Sequence, residues 1–252
     1  MKLAQKSPSV GFPLTDAPEK ESRLSFYKRW GRLAGPYFEW QIRPFLPYLG
    51  KRVADIGCGL GNFTPFLEDR ELYLGLEPEP ELRREFGQRF SSSNIKLADH
   101  GDITTPEAVH EIESHQMDSI LCVNVLEHIK EDGLALSNMV KGIQSDGHLC
   151  LLVPALPWLY GTLDEMDGHY RRYTKKGLLR LAREEGVEVV KIYYSNLIGA
   201  LGWFFKGKIL KEKSHGDENF TLMNKILPFV SFTENIVKPF IGMSLVMVVK
   251  KI

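Results

Sequence analysis

The strongest chemical signal in this 252-residue sequence is a glycine-rich segment that follows an apolar run ending at Ile56. Glycines adopt positive φ angles and let a ligand touch the backbone, and the free amides of a following helix can face a polar group. The order of strand, glycines and helix therefore predicts a ligand-binding loop. The loop residues expected to contact the ligand are Gly57, Cys58, Gly59, Gly61 and Asn62.

Asp55, two residues before the loop, indicates which ligand the loop prefers. A dinucleotide-binding loop has the spacing G-x-G-x-x-G with a pyrophosphate at the helix, whereas the glycines here stand at 57, 59 and 61. A carboxylate beside the loop repels a pyrophosphate and favours a ligand with a positive charge, such as an amino group. An NAD-dependent oxidoreductase on a similar sheet is the alternative interpretation.

Two further acidic residues stand at the ends of the next two apolar runs. Glu77, followed by Pro78, lies twenty residues after the first loop glycine, where a carboxylate can accept hydrogen bonds from a ribose diol. Asp102, followed by Ile103, is expected to accept a hydrogen bond from an adenine amino group, with Asp99 as a competitor. The three carboxylates together predict a site for a nucleoside without phosphates.

The elements that must position these residues follow from an alternation of β-rich and helical patterns. Strands alternating with helices predict a doubly wound, largely parallel sheet in an α/β fold. Ligands of such sheets lie outside the carboxyl ends of the strands, so the residues after the fourth strand, Asn124, Val125 and Leu126, are expected to border the same pocket. The predicted strands are Arg52–Ile56, Leu72–Glu77, Ile95–Ala98, Asp118–Asn124, His148–Val153, Val187–Tyr194 and Ser244–Val249. The predicted helices between them are Phe63–Glu68, Glu79–Phe90, Pro106–Ser114, Lys130–Gly142 and Lys175–Glu185.

The chain length and the apolar patterning favour one elaborated domain. Residues 1–20 contain three prolines and are expected to form a flexible leader, and residues 21–252 a single domain. Within the domain, an aromatic-rich helical lid spans 21–50, the ligand-binding core 51–195, a helical insertion 196–240 and a final strand 241–252.

The composition limits the classes of partner. Lys plus Arg and Asp plus Glu both number 32, so the formal charge is zero and no nucleic-acid partner is expected. The three cysteines lie far apart in apolar segments, which argues against disulfides and fits a cytoplasmic protein. Residues 197–210 are apolar with flanking lysines, a pattern that predicts either contact with a membrane surface or packing on the domain itself.

Taken together, the segments Asp55–Gly61, Gly101–Ile103 and Asp118–His128, with Glu77, resemble the class I S-adenosylmethionine-dependent methyltransferases. The resemblance covers residues 37–195 and the final strand. It implies a Rossmann-like seven-stranded sheet whose last strand is antiparallel, and S-adenosylmethionine as the cofactor. It also implies that helices before the first strand cover the pocket, with Tyr37 as the position expected to reach the cofactor.

A polar segment after the fifth strand is expected to bind the acceptor. It resembles the corresponding stretch of methyltransferases encoded beside, or fused to, glycosyltransferases, which implies a small-molecule, glycan or lipid-linked acceptor methylated at oxygen. An alcohol must lose a proton on methylation, and His169 first and His128 second are the predicted general bases. The predicted substrate-binding residues are Tyr160, Asp164, Arg171, Arg172 and Tyr173.

Each of these roles has a structural alternative. His169 can instead orient the segment through Asp164 or Asp167, and the two arginines can form salt bridges to nearby acids. Asp164, Asp167 and His169 lack a fourth ligand, so no metal site is expected. A cofactor-binding scaffold protein without catalysis also remains open.

Overall fold

A mixed seven-stranded sheet forms the centre of the computed structural model, which describes residues 22–212, 217–236 and 239–252. The predicted leader, residues 1–20, lies outside these ranges. The strand order across the sheet is β3-β2-β1-β4-β5-β7-β6. The strands are β1 (Arg52–Ile56), β2 (Leu72–Leu76), β3 (Ile95–Leu97), β4 (Ser119–Val123), β5 (His148–Pro154), β6 (Glu188–Ser195) and β7 (Ser244–Lys250).

Helices cover both faces of this sheet. The described α-helices are α1 (Arg23–Leu33), α2 (Gly35–Ile42), α3 (Pro80–Arg89), α4 (Pro106–Ser114), α5 (Asp132–Gly142), α6 (Thr162–Asp167), α7 (Lys175–Glu184), α8 (Leu197–Trp203) and α9 (Asp217–Ile236). Short 3-10 turns occupy Leu46–Tyr48, Thr64–Phe66, Leu126–His128 and Pro157–Leu159, and a π-helical segment, Phe204–Ile209, continues α8.

The five strands from β3 to β5 are parallel, and β7 inserts antiparallel between β5 and β6. Met247 of β7 pairs with Leu151 of β5 on one side and with Ile192 of β6 on the other. The α/β class, the doubly wound sheet and the antiparallel last strand are therefore as predicted.

The core consists of two apolar layers because both faces of the central strands are covered. Side chains alternate between faces along a strand, so Ile120 packs in one layer while its neighbour Leu121 packs in the other. Both are fully buried. The continuous apolar runs of the sequence are those of a sheet buried on both sides.

The predicted helix at Phe63–Glu68 is wrong. The structure has only a 3-10 turn at Thr64–Phe66 there. The chain must reach the start of β2 at Leu72 a few residues later, which leaves no room for further helical turns.

The C-terminal helical region is fastened to the rest of the domain by polar contacts. The buried carboxylate of Glu234 on α9 accepts hydrogen bonds from the Ser195 hydroxyl and from the N–H groups of Asn196 and Leu197. The Asn224 amide donates to the carbonyl of Leu33 at the end of α1. Within the described ranges, no helix is both long and apolar enough to cross a bilayer.

Candidate active site at the carboxyl edge of the sheet

The glycine loop leaves β1 at the carboxyl edge, as the sequence predicted. Gly57, Gly59 and Gly61 have φ angles of 66°, 57° and 76°, a region that side chains with a Cβ rarely occupy. A Cβ added to Gly57 would lie 2.5 Å from a methyl carbon of Val125. The absence of a side chain at Gly57 thus lets the loops after β1 and β4 touch.

Asp55 is a buried carboxylate behind this loop. Its side chain is 1% exposed, and the Tyr73 hydroxyl donates to it over 2.6 Å. Burial raises the pKa of Asp55 to about 7, with a smaller contribution from the negative charge of Glu77 and against the hydrogen bond from Tyr73. A ligand with a positive charge would relieve this cost, so the position suits the sulfonium and amino groups of S-adenosylmethionine.

Glu77 ends β2 in contact with the loop. Its two carboxylate oxygens accept hydrogen bonds from the backbone N–H of Gly59 and of Glu79, each over 2.9 Å. These contacts hold the carboxylate at the sheet edge, where the resemblance places the ribose. Pro78, next in the chain, is exposed at the same edge.

The loop after β3 crosses the end of β2 closely. A Cβ on Gly101 would lie 2.0 Å from the carbonyl oxygen of Glu77, so the predicted ribose-side and adenine-side segments are neighbours. One carboxylate oxygen of Asp102 accepts from the backbone N–H and hydroxyl of Thr104, which shapes the turn. Ile103 is buried, and its carbonyl accepts from Asn138. Contact of Asp102 and Ile103 with the cofactor stays a prediction.

The residues after β4 border the glycine loop from the other side. Asn124 has a φ of 54° and donates its N–H to the Leu152 carbonyl. Leu126 is fully buried, while Val125 is half-buried and reaches Gly57.

Helices α1 and α2 lie against the cofactor side of the sheet. A Cβ on Gly31 of α1 would be 2.9 Å from the Asn62 side-chain oxygen, which brings the helix onto the glycine loop. Tyr37 is buried in α2 and stacks on Trp40. Burial raises the pKa of Tyr37 to about 12, and hydrogen bonds with Asn196 and Gln41 oppose the rise. The helices are placed where a lid is expected, and cofactor contact by Tyr37 stays a prediction.

On the acceptor side, Asp164 of α6 is a fully buried hub. Its Oδ1 accepts from the Arg172 guanidinium over 2.7 Å and lies 2.8 Å from His169 Nδ1. Its Oδ2 accepts from the Trp203 indole and from the Gly161 N–H, both over 3.1 Å. Burial opposes ionisation, but the bonds from His169 and Arg172 hold the pKa of Asp164 below its usual value.

The two arginines of the predicted acceptor site form ion pairs within the chain. Arg172 also donates to the Ala155 carbonyl and lies over the Trp203 ring. Arg171 pairs with Asp132 and donates to the Lys130 carbonyl. The salt-bridge alternative therefore describes both side chains here, and acceptor binding by either stays a prediction.

The two predicted tyrosines have similar roles in the acceptor segment. The Tyr160 hydroxyl donates to the carbonyl of His169, and the Tyr173 hydroxyl contacts the Leu126 carbonyl and the Asp132 carboxylate. The Tyr173 bonds tie the segment after β5 to the loop after β4, whereas the Tyr160 bond lies within the segment after β5. Tyr170, which follows His169, is half exposed at the surface of this segment.

The two predicted general bases meet at this junction, together with an acid that the sequence-based site did not include. The rings of His128 and His169 lie 4.8 Å apart in a T-shaped contact. Glu127 is fully buried with its Oε1 4.0 Å from His169 Nε2, and neither of its carboxylate oxygens has a hydrogen-bond partner in the structure. Burial raises the pKa of Glu127 to about 7, against the attraction of His169. The adjacency of Glu127 and His128 in the sequence was the signal for this acid.

The strand order of the sheet, with β7 antiparallel between β5 and β6, is the one that the resemblance to the class I S-adenosylmethionine-dependent methyltransferases implies. Residues 54–149 match the protein family described as Methyltransferase domain. Over 91% of its length the chain is also similar in fold to the whole of a SAM-dependent methyltransferase from Archaeoglobus fulgidus, with a TM-score of 0.61 at 17% identity. A SAM-dependent methyltransferase from Mesorhizobium loti gives 0.58 at 13% identity, over 85% of this chain and 98% of that one. These findings support the resemblance and the cofactor that it implies: residues 54–149 match a methyltransferase domain, and the chain shares the fold of proteins described as SAM-dependent methyltransferases.

A curated relative corrects one expectation about partners. The chain is 30% identical over 122 residues to a protein of Sulfurovum sp. named tRNA U34 carboxymethyltransferase, and two further relatives carry the same name. The match spans 45% of this chain and 40% of that relative. The expectation of no nucleic-acid partner, drawn from the balanced charge, is therefore wrong as an exclusion, because net charge does not report a local basic surface.

Proposed function

We propose that the chain transfers a methyl group from S-adenosylmethionine to an oxygen of a small-molecule or lipid-linked acceptor. The observation that carries this proposal is the contact between the two halves of the edge: Val125 packs on Gly57 and stands two residues before Glu127. The glycine loop and the Glu127–His128–His169 cluster are therefore neighbours at one edge of the sheet.

The cofactor, when bound, supplies a methyl group already activated on a sulfonium. The chain then has to align donor and acceptor and keep the pocket dry. Asp55 and Glu77 are placed to orient the cofactor through charge and hydrogen bonding. Helices α1 and α2 cover the loop from the solvent side, which supports a role in excluding water.

The acceptor's proton is proposed to be lost at the cluster of Glu127, His128 and His169. Asp164 fixes the ring of His169 through Nδ1, so its Nε2 faces Glu127. The Arg172–Asp164 ion pair keeps this arrangement in place because every one of its members is buried. His169 is thus better oriented than His128, which supports His169 as the first candidate for the base.

The apolar segment after β6 supports a lipid part in the acceptor and contact with a membrane surface. Leu201, Phe205 and Ile209 are spaced four residues apart and are each more than half exposed. The same segment packs on the acceptor side: the Thr162 hydroxyl donates to the Gly207 carbonyl, and Trp203 donates to Asp164. An acceptor anchored in a lipid surface would meet this face beside the cluster.

Transfer RNA is the second candidate acceptor, and the named relatives favour it. The alignment with them spans less than half of either chain, so their substrate is carried over only as a hypothesis. It requires a surface that binds phosphates, whereas a lipid-linked acceptor requires the exposed apolar face.

The test is methyl transfer from labelled S-adenosylmethionine to three separate extracts: polar metabolites, lipids and total tRNA. We expect label in the first or second extract, reduced at least about hundredfold by His169→Ala, as for loss of general acid–base help, and unchanged by the control His110→Ala. Binding to liposomes is expected to weaken in Phe205→Ser. Label in tRNA alone would replace the proposed acceptor with the second candidate. Undiminished transfer by His169→Ala would remove the cluster from the chemistry.

A further inference from the structure

The Glu127–His128–His169 cluster has the composition of a metal site. One ligand atom from each of these residues can be chosen so that all three lie within 4.8 Å of one another, and they are the only such group found among the described residues. Two imidazoles and one carboxylate are the donor set of many transition-metal sites, whereas Mg²⁺ and Ca²⁺ prefer oxygen ligands alone.

The ring of His169 is oriented as in a metal-binding histidine, with a carboxylate hydrogen-bonded to the ring nitrogen opposite the one that would bind the metal. Its Nδ1 lies 2.8 Å from the Asp164 carboxylate, which accepts hydrogen bonds and donates none while ionised. The proton of a neutral ring therefore sits on Nδ1, and the lone pair of Nε2 points to Glu127. A carboxylate behind a histidine ligand fixes the tautomer and the ring in this way in metal sites.

Glu127 supplies an independent observation. It is 0% exposed, and both its oxygens lack hydrogen-bond partners in the structure. A buried carboxylate with no partner is costly, and the 4.0 Å to His169 Nε2 is too long for a hydrogen bond. A cation between the two side chains satisfies both oxygens and the imidazole at once.

We propose that Glu127, His128 and His169 bind one divalent transition-metal ion, such as Zn²⁺ or Mn²⁺. Ligand bonds of about 2.0–2.2 Å require the three side chains to close by less than about an ångström. Three protein ligands leave coordination positions open, as in catalytic rather than structural sites. The open positions face the proposed acceptor pocket, and this part of the inference rests on the proposed function.

The ion gives the cluster a defined role in the proposed reaction. An acceptor hydroxyl bound to a divalent cation loses its proton more easily, because the cation stabilises the alkoxide. With the ion bound, His169 acts as its ligand in place of the general-base role proposed above, and the proton of the hydroxyl passes to solvent as the acceptor binds, before water is excluded from the pocket.

The direct test is titration of the metal-stripped full chain with Co²⁺, followed by visible absorption and calorimetry. We expect one equivalent to bind with the absorption bands of a nitrogen–oxygen site. Affinity should fall at least about tenfold in Glu127→Gln and in His169→Gln, since changes behind the ligands alone cost about 10–100-fold. The matched control, His110→Gln, removes a histidine from α4, remote in the fold, and should bind as the parent does.

Thermal melts identify variants that fail to fold, and wild-type crystals soaked in Zn²⁺ give a second measurement that needs no variant. An anomalous peak among the three side chains is expected. No bound Co²⁺, undiminished binding in Glu127→Gln, or a peak only at His110 of α4 would overturn the metal site. Transfer that continues in a chelator while Co²⁺ does not bind removes the ion alone, whereas failure to bind S-adenosylmethionine removes the proposed function.

Discussion

The buried acids on the two halves of the sheet edge differ in their hydrogen bonds. On the cofactor half, Glu77 accepts from two backbone N–H groups and Asp55 accepts from a tyrosine hydroxyl. On the acceptor half, Asp164 has four polar partners, while the nearby Glu127 accepts no hydrogen bond on its carboxylate. On the cofactor half, which we call the cradle, Asp55 and Glu77 are already hydrogen-bonded, largely by the backbone. On the acceptor half, which we call the frame, Asp164 and its four partners lie next to Glu127, whose carboxylate accepts no hydrogen bond.

This contrast indicates which half contributes mainly to ligand binding and which mainly to folding stability. A cradle whose groups are already bonded changes little when the cofactor enters, which keeps the ordering cost low. An acid held without a partner favours any ligand that brings a positive charge or a proton. We therefore expect substitutions in the frame of the acceptor half to affect folding, and substitutions in the cradle to affect binding.

The largest expected effect is on stability, from breaking the frame at Asp164. Replacing Asp164 with Ala leaves the guanidinium of Arg172 buried without its carboxylate, and loss of one member of a buried pair costs about 3–5 kcal/mol. Urea denaturation should show this loss. The exposed pair of Arg180 and Glu184 provides the control, since Arg180→Ala should change the free energy of unfolding by less than about 1 kcal/mol. Equal losses in the free energy of unfolding of the two variants would contradict the claim that the buried Asp164–Arg172 pair stabilises the acceptor half.

A smaller effect is expected at the junction of the two halves. Gly57→Ala combines a positive φ with a contact of 2.5 Å to Val125, whereas Gly59→Ala has the same type of backbone and open space around the added carbon. For a residue with a Cβ, the positive φ alone costs about 1–2 kcal/mol. A cost of this size corresponds to about a tenfold loss of cofactor affinity. The loss should be much larger than tenfold in Gly57→Ala and no larger than about tenfold in Gly59→Ala. If the two variants bind equally, the junction does not shape the pocket.

The smallest effect concerns the pH dependence of cofactor binding at Asp55. Its pKa in the folded chain, about 7, lies above the ordinary value of 3.8. The stabilisation associated with its proton is thus present at low pH and lost as the pH rises towards 7 and beyond. A bound sulfonium and amino group favour the carboxylate, so the dissociation constant should fall about tenfold between pH 6 and pH 8. Calorimetry on the parent and on Asp55→Asn checks this, because the variant should lose most of that slope.

The arrangement of the glycine loop, Asp55 and Glu77 at one edge of the sheet was predictable from sequence because its signals are local in the chain. Strand, glycines and acid lie within one segment, and Glu77 stands at a fixed distance along the next strand. The same holds for Asn124 at the end of β4, where an apolar run stops at a polar residue with a positive φ.

The acceptor half was less predictable because its contacts join distant segments. Trp203 donates to Asp164 across 39 positions, and α5, β5 and α6 all lie between Glu127 and His169 in the sequence. No pattern in either segment shows that Arg172 turns inward rather than towards a ligand. The residue that completes the cluster, Glu127, was visible only as a neighbour of His128.

Direct titration with S-adenosylmethionine tests the central claim, that the carboxylates at this edge select an adenosyl sulfonium. We expect one equivalent to bind to the parent, about tenfold or more weaker binding to Glu77→Ala, which removes the acceptor for a ribose diol, and parent-like binding to the control Glu71→Gln on the exposed surface. NAD should give no heat. Binding of NAD in place of S-adenosylmethionine, or equal binding by Glu77→Ala and the parent, would contradict the account.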